Sequence, residues 1–188
     1  MEHVITPHIG ASCDVITGGG LDMGVLHFKN RYDFECFGPD GKLKWRKSTY
    51  NTVVNVGLDD VLDKYFKGSA YTAAFYVGLT DGAPVTVAAA DTMASHAGWA
   101  EIVPYSDATR PALTLGTVAS QSVDNSASKA VFNINTGPTT VGGAFLATSA
   151  TKSETASLLY GAAAFTAGDK GGLNNGDVLN VTVTLTAA

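Results

Sequence analysis

Side chains that could do chemistry are few in this chain, and they are widely spaced. Ser95 and His96 are adjacent, but a nucleophile and its base must converge in space with a third, orienting group, so adjacency alone predicts no triad. His96 stands among small residues and is interpreted as a hydrogen-bonded structural histidine. The chain carries no GxSxG elbow, GxxxxGK loop or GxGxxG turn. We therefore predict no catalytic residue, no cofactor and no enzyme activity. The other histidines are His3, His8 and His27.

The sequence also gives little indication of a metal site or of a disulfide. Asp59 and Asp63 are four residues apart on a predicted helix, where they could hold a divalent ion. They could instead form a solvated face near the helix N-terminus, where the helix dipole favours negative charge, and we prefer this interpretation. No cysteine spacing typical of metal ligands occurs, so no metal is predicted. Cys13 and Cys36 could form one bridge, worth about 3 kcal/mol if unstrained, but their spacing does not decide whether they pair.

Composition limits the classes of partner. The 188 residues carry a formal net charge of −5, and only 15% are charged. An acidic protein has no electrostatic attraction to phosphate backbones, so we expect no direct nucleic-acid binding. The local basic run has two interpretations, a solvated hairpin face or a contact with an acidic partner. No secretory signal or apolar run long enough to span a membrane is found, and no membrane association is expected. The basic run consists of Lys42, Lys44, Arg46 and Lys47.

Two segments are predicted, an extended N-terminal arm over residues 1–23 and a domain over residues 24–188. Gly18, Gly19 and Gly20 disfavour regular structure in the arm, which is long enough to reach a neighbouring subunit. Residues 25–37 alternate between apolar and polar side chains, as in a half-buried strand. A Gly-Pro-Asp-Gly turn follows and leads to Leu43 and Trp45, which predicts a β-hairpin.

One helix is predicted near residues 57–67. Its apolar residues have the spacing of a single stripe, and Gly68 is suited to the position after its C-terminus. A short helical turn is expected at Asp91. Further strands are expected at residues 73–79, 100–104, 112–118, 130–135, 140–147, 157–165 and 177–186. Many short strands with turns between them predict an all-β protein, specifically a β-sandwich of jelly-roll type. The apolar residues of the predicted helix are Leu58, Val61, Leu62, Tyr65 and Phe66.

A central motif resembles a family of structural proteins of tailed phages and prophages. It reads Asp-Thr-Met-x-Ser-His-x-Gly-Trp-x-Glu over residues 91–101, followed by Tyr-x-x-x-x-Arg-Pro over residues 105–111. Weaker flanking blocks extend the resemblance over roughly residues 45–188. In the motif itself, Trp99 and Ile102 are expected in the core or an interface. Arg110 could hold an extended loop before Pro111 or pair with a carboxylate such as Glu101.

The resemblance implies a virion component and supplies no catalytic residue. The first hypothesis is a capsid decoration or cement protein that binds the outer surface of the major capsid protein and stabilises the head. It would act as a homo-oligomer, for example a trimer at a symmetry axis. A second hypothesis is a tail, collar or fibre component. A third, from another class, is a glycan-binding or glycan-cleaving module.

Overall fold

The fold is all-β with one helical segment, as seen in a computed structural model that describes residues 27–71, 74–82, 85–166 and 171–187. The strands are β1 (Phe28–Phe37), β2 (Leu43–Val53), β3 (Tyr76–Asp81), β4 (Glu101–Ile102), β5 (Ser122–Asp124), β6 (Ala130–Asn133), β7 (Thr139–Ala147), β8 (Leu159–Ala164), β9 (Gly171–Leu173) and β10 (Val178–Ala187). Helix α1 (Asn55–Val61) continues into a π-helical turn (Leu62–Phe66), and a 3-10 turn spans Ser126–Ser128. The prediction of an all-β protein is confirmed.

The predicted hairpin is formed by β1 and β2. They pair antiparallel, from Arg31 opposite Tyr50 at the open end to Phe37 opposite Leu43 at the turn. Gly41 adopts a φ of +74° in that turn, a backbone conformation that glycine takes without steric cost. The apolar residues of β1 lie on its buried face, as the alternation predicts. These residues are Tyr32, Phe34 and Cys36.

All strands belong to one antiparallel sheet that curls on itself. Its order is β4-β3-β7-β8-β2-β1-β10-β5, with β6 also paired to β10 and β9 to β7. The long strand β2 produces the curl, because it pairs with β1 up to Tyr50 and then with β8 through residues 51–53. The curled sheet therefore has two sections, one on each side of this transfer in β2, and both contribute side chains to a common core.

The segment over residues 112–116 ties together the two sections of the sheet. The Leu113 amide donates to the carbonyl of Phe75, next to β3, at 2.8 Å. The Gly116 amide donates to the carbonyl of Asp124 in β5, also at 2.8 Å. The predicted strand over residues 112–118 is wrong, because these residues form isolated backbone hydrogen bonds to the two sections of the sheet and not a continuous ladder.

The core has two parts. The larger lies on the inner face of the curled sheet and contains aromatic and aliphatic residues from most of the strands. The smaller lies on the other face of β7 and β8, where Met93 and Trp99 cover Phe145 and Leu159. Strand β7 is consequently buried on both faces, which explains its continuous apolar run.

The other strand predictions are confirmed with bounds that differ by one to three residues, and β5 and β9 were missed. Both missed strands have three residues, too few to show an alternating pattern. The jelly-roll arrangement stays a prediction, and the predicted arm over residues 1–23 lies outside the described residues. In the parts of the chain that the structure describes, no helix is long and apolar enough to cross a membrane.

Candidate functional site

The helical segment packs against β8 at Gly57. A Cβ atom on Gly57 would lie 2.3 Å from the carbonyl oxygen of Tyr160, so only glycine permits this close approach. Val61 is the one member of the predicted stripe that packs on the core. The other four members are exposed, with Leu58 38%, Leu62 56%, Tyr65 80% and Phe66 69% accessible. We call these four residues the helical stripe, and their exposure makes the helix a candidate contact surface.

An apolar cleft of 470 Å³ opens beside the helix, at the end of the curled sheet where β1 begins and β10 ends. Both sheet sections, the helical segment and the connecting segments contribute to its walls. Its volume lies in the range of pockets that bind small molecules. We call it the end cleft. It is lined by Asp60, Val61, Lys64, Tyr65, Tyr71, Phe75, Leu115, Leu146, Tyr160 and Leu185.

Buried polar side chains lie next to the lining of the end cleft. Asn30 is fully buried and stands directly opposite Leu185 in the β1–β10 ladder. Burial raises the pKa of the Tyr160 phenol, and the nearby Asn30 amide partly offsets that rise. Burial likewise raises the pKa of the Tyr32 phenol, and the nearby Asn51 side chain partly offsets that rise.

The first half of the central motif forms a latch over the smaller core. One carboxylate oxygen of Asp91 accepts the indole N–H of Trp99 at 3.0 Å and the amide of Ala88 at 3.0 Å. The ring of His96 stacks on Trp99 with centroids 3.8 Å apart, and His96 Nδ1 lies 2.8 Å from the Trp99 carbonyl oxygen. Asp91 thus fastens a loop, where a helical turn was predicted. The core role expected of Trp99 is confirmed.

The second half of the motif contains a buried ion pair. Arg110 Nε donates to Glu101 Oε1 at 2.8 Å, and Arg110 Nη2 donates to Glu101 Oε2 at 2.7 Å. The guanidinium also donates to the carbonyls of Ser149 and Glu154. Its side chain has no solvent exposure. Of the two alternatives for Arg110, the structure contains the carboxylate pair.

One group of reactive side chains surrounds the buried carboxylate of Asp177. Lys44 Nζ lies 2.5 Å from Asp177 Oδ2, which also accepts the amide of Asn174 at 2.7 Å. The Cys36 thiol lies 3.8 Å from the same oxygen. Burial, followed by the charge of Asp177, raises the pKa of the Cys36 thiol to about 11. Since the thiolate is the nucleophilic form, this arrangement keeps Cys36 unreactive at neutral pH.

Of the two acidic residues predicted on one face of the helix, Asp63 interacts with neighbouring side chains. Asp63 accepts the hydroxyl of Ser69 at 2.9 Å, and its carboxylate lies 3.2 Å from Lys67 and 3.5 Å from Lys64. These bonds, led by the one from Ser69, lower the pKa of Asp63. Asp59 makes none of these contacts. The described residues contain no group of three or more histidine, cysteine or acidic side chains placed to hold a metal ion.

The basic run of the hairpin is largely engaged within the molecule. Lys42 lies 3.3 Å from Asp40, and Arg46 lies 3.0 Å from Glu35. Lys44 is paired with Asp177, and Lys47 lies over the ring of Phe165. These contacts favour the solvated-face interpretation of the run over the interpretation as a contact for an acidic partner.

The sequence identified the helical stripe but did not show that it is exposed. It gave no signal for the end cleft, because the lining residues are scattered from Asp60 to Leu185. Asn30 and Asn51 could have been noticed as amides in otherwise patterned strands. No local feature showed that β2 changes its partner from β1 to β8 after Tyr50.

Comparisons with known proteins give no further guidance to the site. No protein-family model matches the chain, and neither the curated proteins nor the solved structures contain a significant match.

Proposed function

We propose that this protein is a non-enzymatic structural protein of a tailed-phage particle, specifically a capsid decoration or cement protein. It binds the outer surface of the major capsid lattice and stabilises the head, and it acts as a homo-oligomer, for example a trimer. The observation that carries this proposal is the exposed helical stripe. Four large apolar side chains on one short segment are costly to leave in water unless a partner covers them.

The central motif supports the same proposal. Its polar residues are engaged in internal bonds, with Asp91 holding Trp99 and Glu101 holding Arg110. Such residues maintain the shape of a scaffold and leave no free acid or base at these positions for catalysis. The resemblance of the motif to phage structural proteins is the basis for proposing a tailed-phage particle.

The jelly-roll sandwich belongs to this proposal as well. Support for it comes from the larger core, to which strands on both sides of β2 in the curled sheet contribute side chains. A rigid double layer of this kind presents its helix and loops at a fixed orientation to the lattice.

The proposal is tested by adding the purified protein to capsid shells that lack it and measuring bound protein by sedimentation. The double variant Leu62→Asp/Phe66→Asp should lower affinity about 30-fold or more, the loss expected when central apolar contacts are removed. The matched control is Leu43→Asp/Val131→Asp, which changes two exposed apolar residues on other surfaces. Equal loss in both variants contradicts a specific role for the stripe.

Cryo-EM of the intact particle locates the protein. Density on the outer head surface supports the decoration role, whereas density on the tail alone favours the tail, collar or fibre alternative. Turnover of polysaccharide by the purified protein would contradict a non-enzymatic role and favour the glycan alternative.

A further inference from the structure

Lys44 and Asp177 meet across β1, the strand that lies between β2 and β10. Lys44 is the extra residue of a β-bulge, because its neighbours Leu43 and Trp45 stand opposite consecutive residues of β1. A bulge redirects a side chain out of the regular alternation of its strand. Lys44 Nζ thereby lies 2.5 Å from Asp177 Oδ2, the same oxygen that the Cys36 thiol approaches.

The carboxylate of Asp177 is buried with bonds to one of its two oxygens. Its side chain has no solvent exposure, and its Oδ1 atom has no hydrogen-bond partner among the described residues. The other oxygen, Oδ2, accepts from Lys44 and from the amide of Asn174 at 2.7 Å. Burial of a charged group with an unbonded oxygen is costly, and one ion pair offsets this cost only in part. A neutral amide at the same place would remove the charge.

We propose that Lys44 and Asp177 form an intramolecular isopeptide bond, which joins β2 to the residue before β10. Lys44 Nζ gives a proton to the carboxylate and, as a neutral amine, attacks Cγ of Asp177. The bond that forms is Nζ–Cγ, and the bond that breaks is Cγ–Oδ1. Oδ1 leaves as water with two of the three ammonium protons. The ion pair thus becomes one neutral amide and one water molecule, and the reaction needs no oxidant or reductant.

The surroundings of Oδ2 favour this reaction. Since a C=O bond is about 1.23 Å long, Nζ lies no more than about 3.7 Å from Cγ, close to the separation of about 3.5 Å at which held groups react readily. Oδ2 stays as the amide oxygen, and the Asn174 N–H stabilises the negative charge that this oxygen carries in the tetrahedral intermediate. The Cys36 thiol lies 3.8 Å away and remains a proton donor at neutral pH, because burial raises its pKa.

The bond ties three neighbouring strands together. Because β1 lies between β2 and β10, a covalent link from Lys44 to Asp177 crosses it and keeps the hairpin attached to β10. The ion pair described above is the arrangement before the bond forms. This inference does not depend on the virion role.

The mass of the purified full-length chain tests the proposal. We expect it to be lower than the mass of the sequence by one water molecule. The deficit should vanish in Lys44→Arg, because a guanidinium keeps the charge but does not form the amide. The matched control is Lys42→Arg, which changes an exposed lysine paired with Asp40 and should keep the deficit. A wild-type chain with the full mass of its sequence would overturn the proposal and leave an ordinary ion pair.

Tryptic peptides locate the bond. Trypsin does not cleave after an acylated lysine, so residues 43–46 should remain joined to residues 171–188 in one branched peptide. Loss of water at Asp40, which precedes Gly41, would form a cyclic imide of the same mass. The imide opens in mild alkali, whereas the amide persists. A deficit that disappears in alkali, or that maps to Asp40, would overturn the proposal.

Thermal unfolding gives a second readout. Lys44 and Asp177 are 133 positions apart in the sequence, so the bond closes a long loop in the unfolded chain. Lys44→Arg should therefore lower the unfolding midpoint by about 10 °C or more, as expected for the loss of such a crosslink. Lys42→Arg should leave the midpoint unchanged. Equal midpoints for the two variants would contradict the bond.

Discussion

Arg110 and Glu101 form a bidentate ion pair inside the protein, with the arginine side chain fully buried and the glutamate side chain 7% exposed. Glu101 also accepts the amide of Ser153 at 2.8 Å, and Arg110 binds the carbonyl of Ser149 at 2.9 Å. The pair therefore holds β4, the loop before Pro111 and the loop after β7 in one arrangement.

Replacing Arg110 should destabilise the fold strongly. Arg110→Met leaves a buried carboxylate without its cation, and the free energy of unfolding should fall by about 3–5 kcal/mol. Arg110→Lys should recover little of this, because an ammonium cannot form both parallel bonds. Urea titration monitored by fluorescence measures the change. The control is Arg31→Met, which removes a largely exposed pair with Asp33 and should cost less than about 1 kcal/mol.

The contact of the helix with the sheet should depend on Gly57. Gly57→Ala places a Cβ atom against the backbone carbonyl of Tyr160, which cannot move aside as a side chain can. We expect a loss of about 1–3 kcal/mol, typical of overpacking, measured by thermal unfolding. Gly172→Ala is the matched control, since its Cβ would have no atom within 4 Å. Similar losses at both positions would contradict the close helix contact.

The latch should depend on the indole N–H of Trp99. Trp99→Phe keeps an aromatic ring in the smaller core but removes one donor from the buried carboxylate of Asp91, so we expect a loss of about 1–3 kcal/mol. In the control, Trp45→Phe, the lost bond to the Gly172 carbonyl is at an exposed position, and water can replace it. Chemical denaturation of the two variants should separate them, and a smaller loss for Trp99→Phe would disprove the latch.

Stability should decline in mild alkali because of Cys36. The pKa of its thiol is raised from 9.0 to about 11 in the fold, so the unfolded chain releases this proton first as pH rises. Stability contributed by the protonated thiol is complete below pH 9 and is lost between pH 9 and 11, by about 1 kcal/mol at pH 10. Urea titrations at pH 8, 9 and 10 measure the slope. It should flatten in Cys36→Ala, and an unchanged slope would contradict the assignment.

The alkaline measurement also bears on the disulfide that the sequence left open. Cys36 is buried as a free thiol, whereas Cys13 lies outside the described residues. Thermal unfolding with and without reductant is expected to give the same midpoint. A lower midpoint with reductant would indicate a bridge and would remove the thiol on which the pH prediction depends.

The sequence by itself determined the local elements of this protein. Alternation in β1 and β10, and the glycines and proline of the turn before β2, specify strands and a hairpin, because these signals act between near neighbours. The spacing of Leu58, Leu62 and Phe66 likewise specified a helix. These features made the all-β class predictable.

Only the tertiary structure decided how those elements are used. The partner of Arg110, the exposure of the helical stripe and the end cleft all depend on contacts between distant parts of the chain. The decisive event is the transfer of β2 from β1 to β8 after Tyr50, which curls the sheet. Side-chain periodicity shows which face of a strand is apolar. The order of the strands and the curl of the sheet depend on packing between distant residues, which no local sequence pattern specifies.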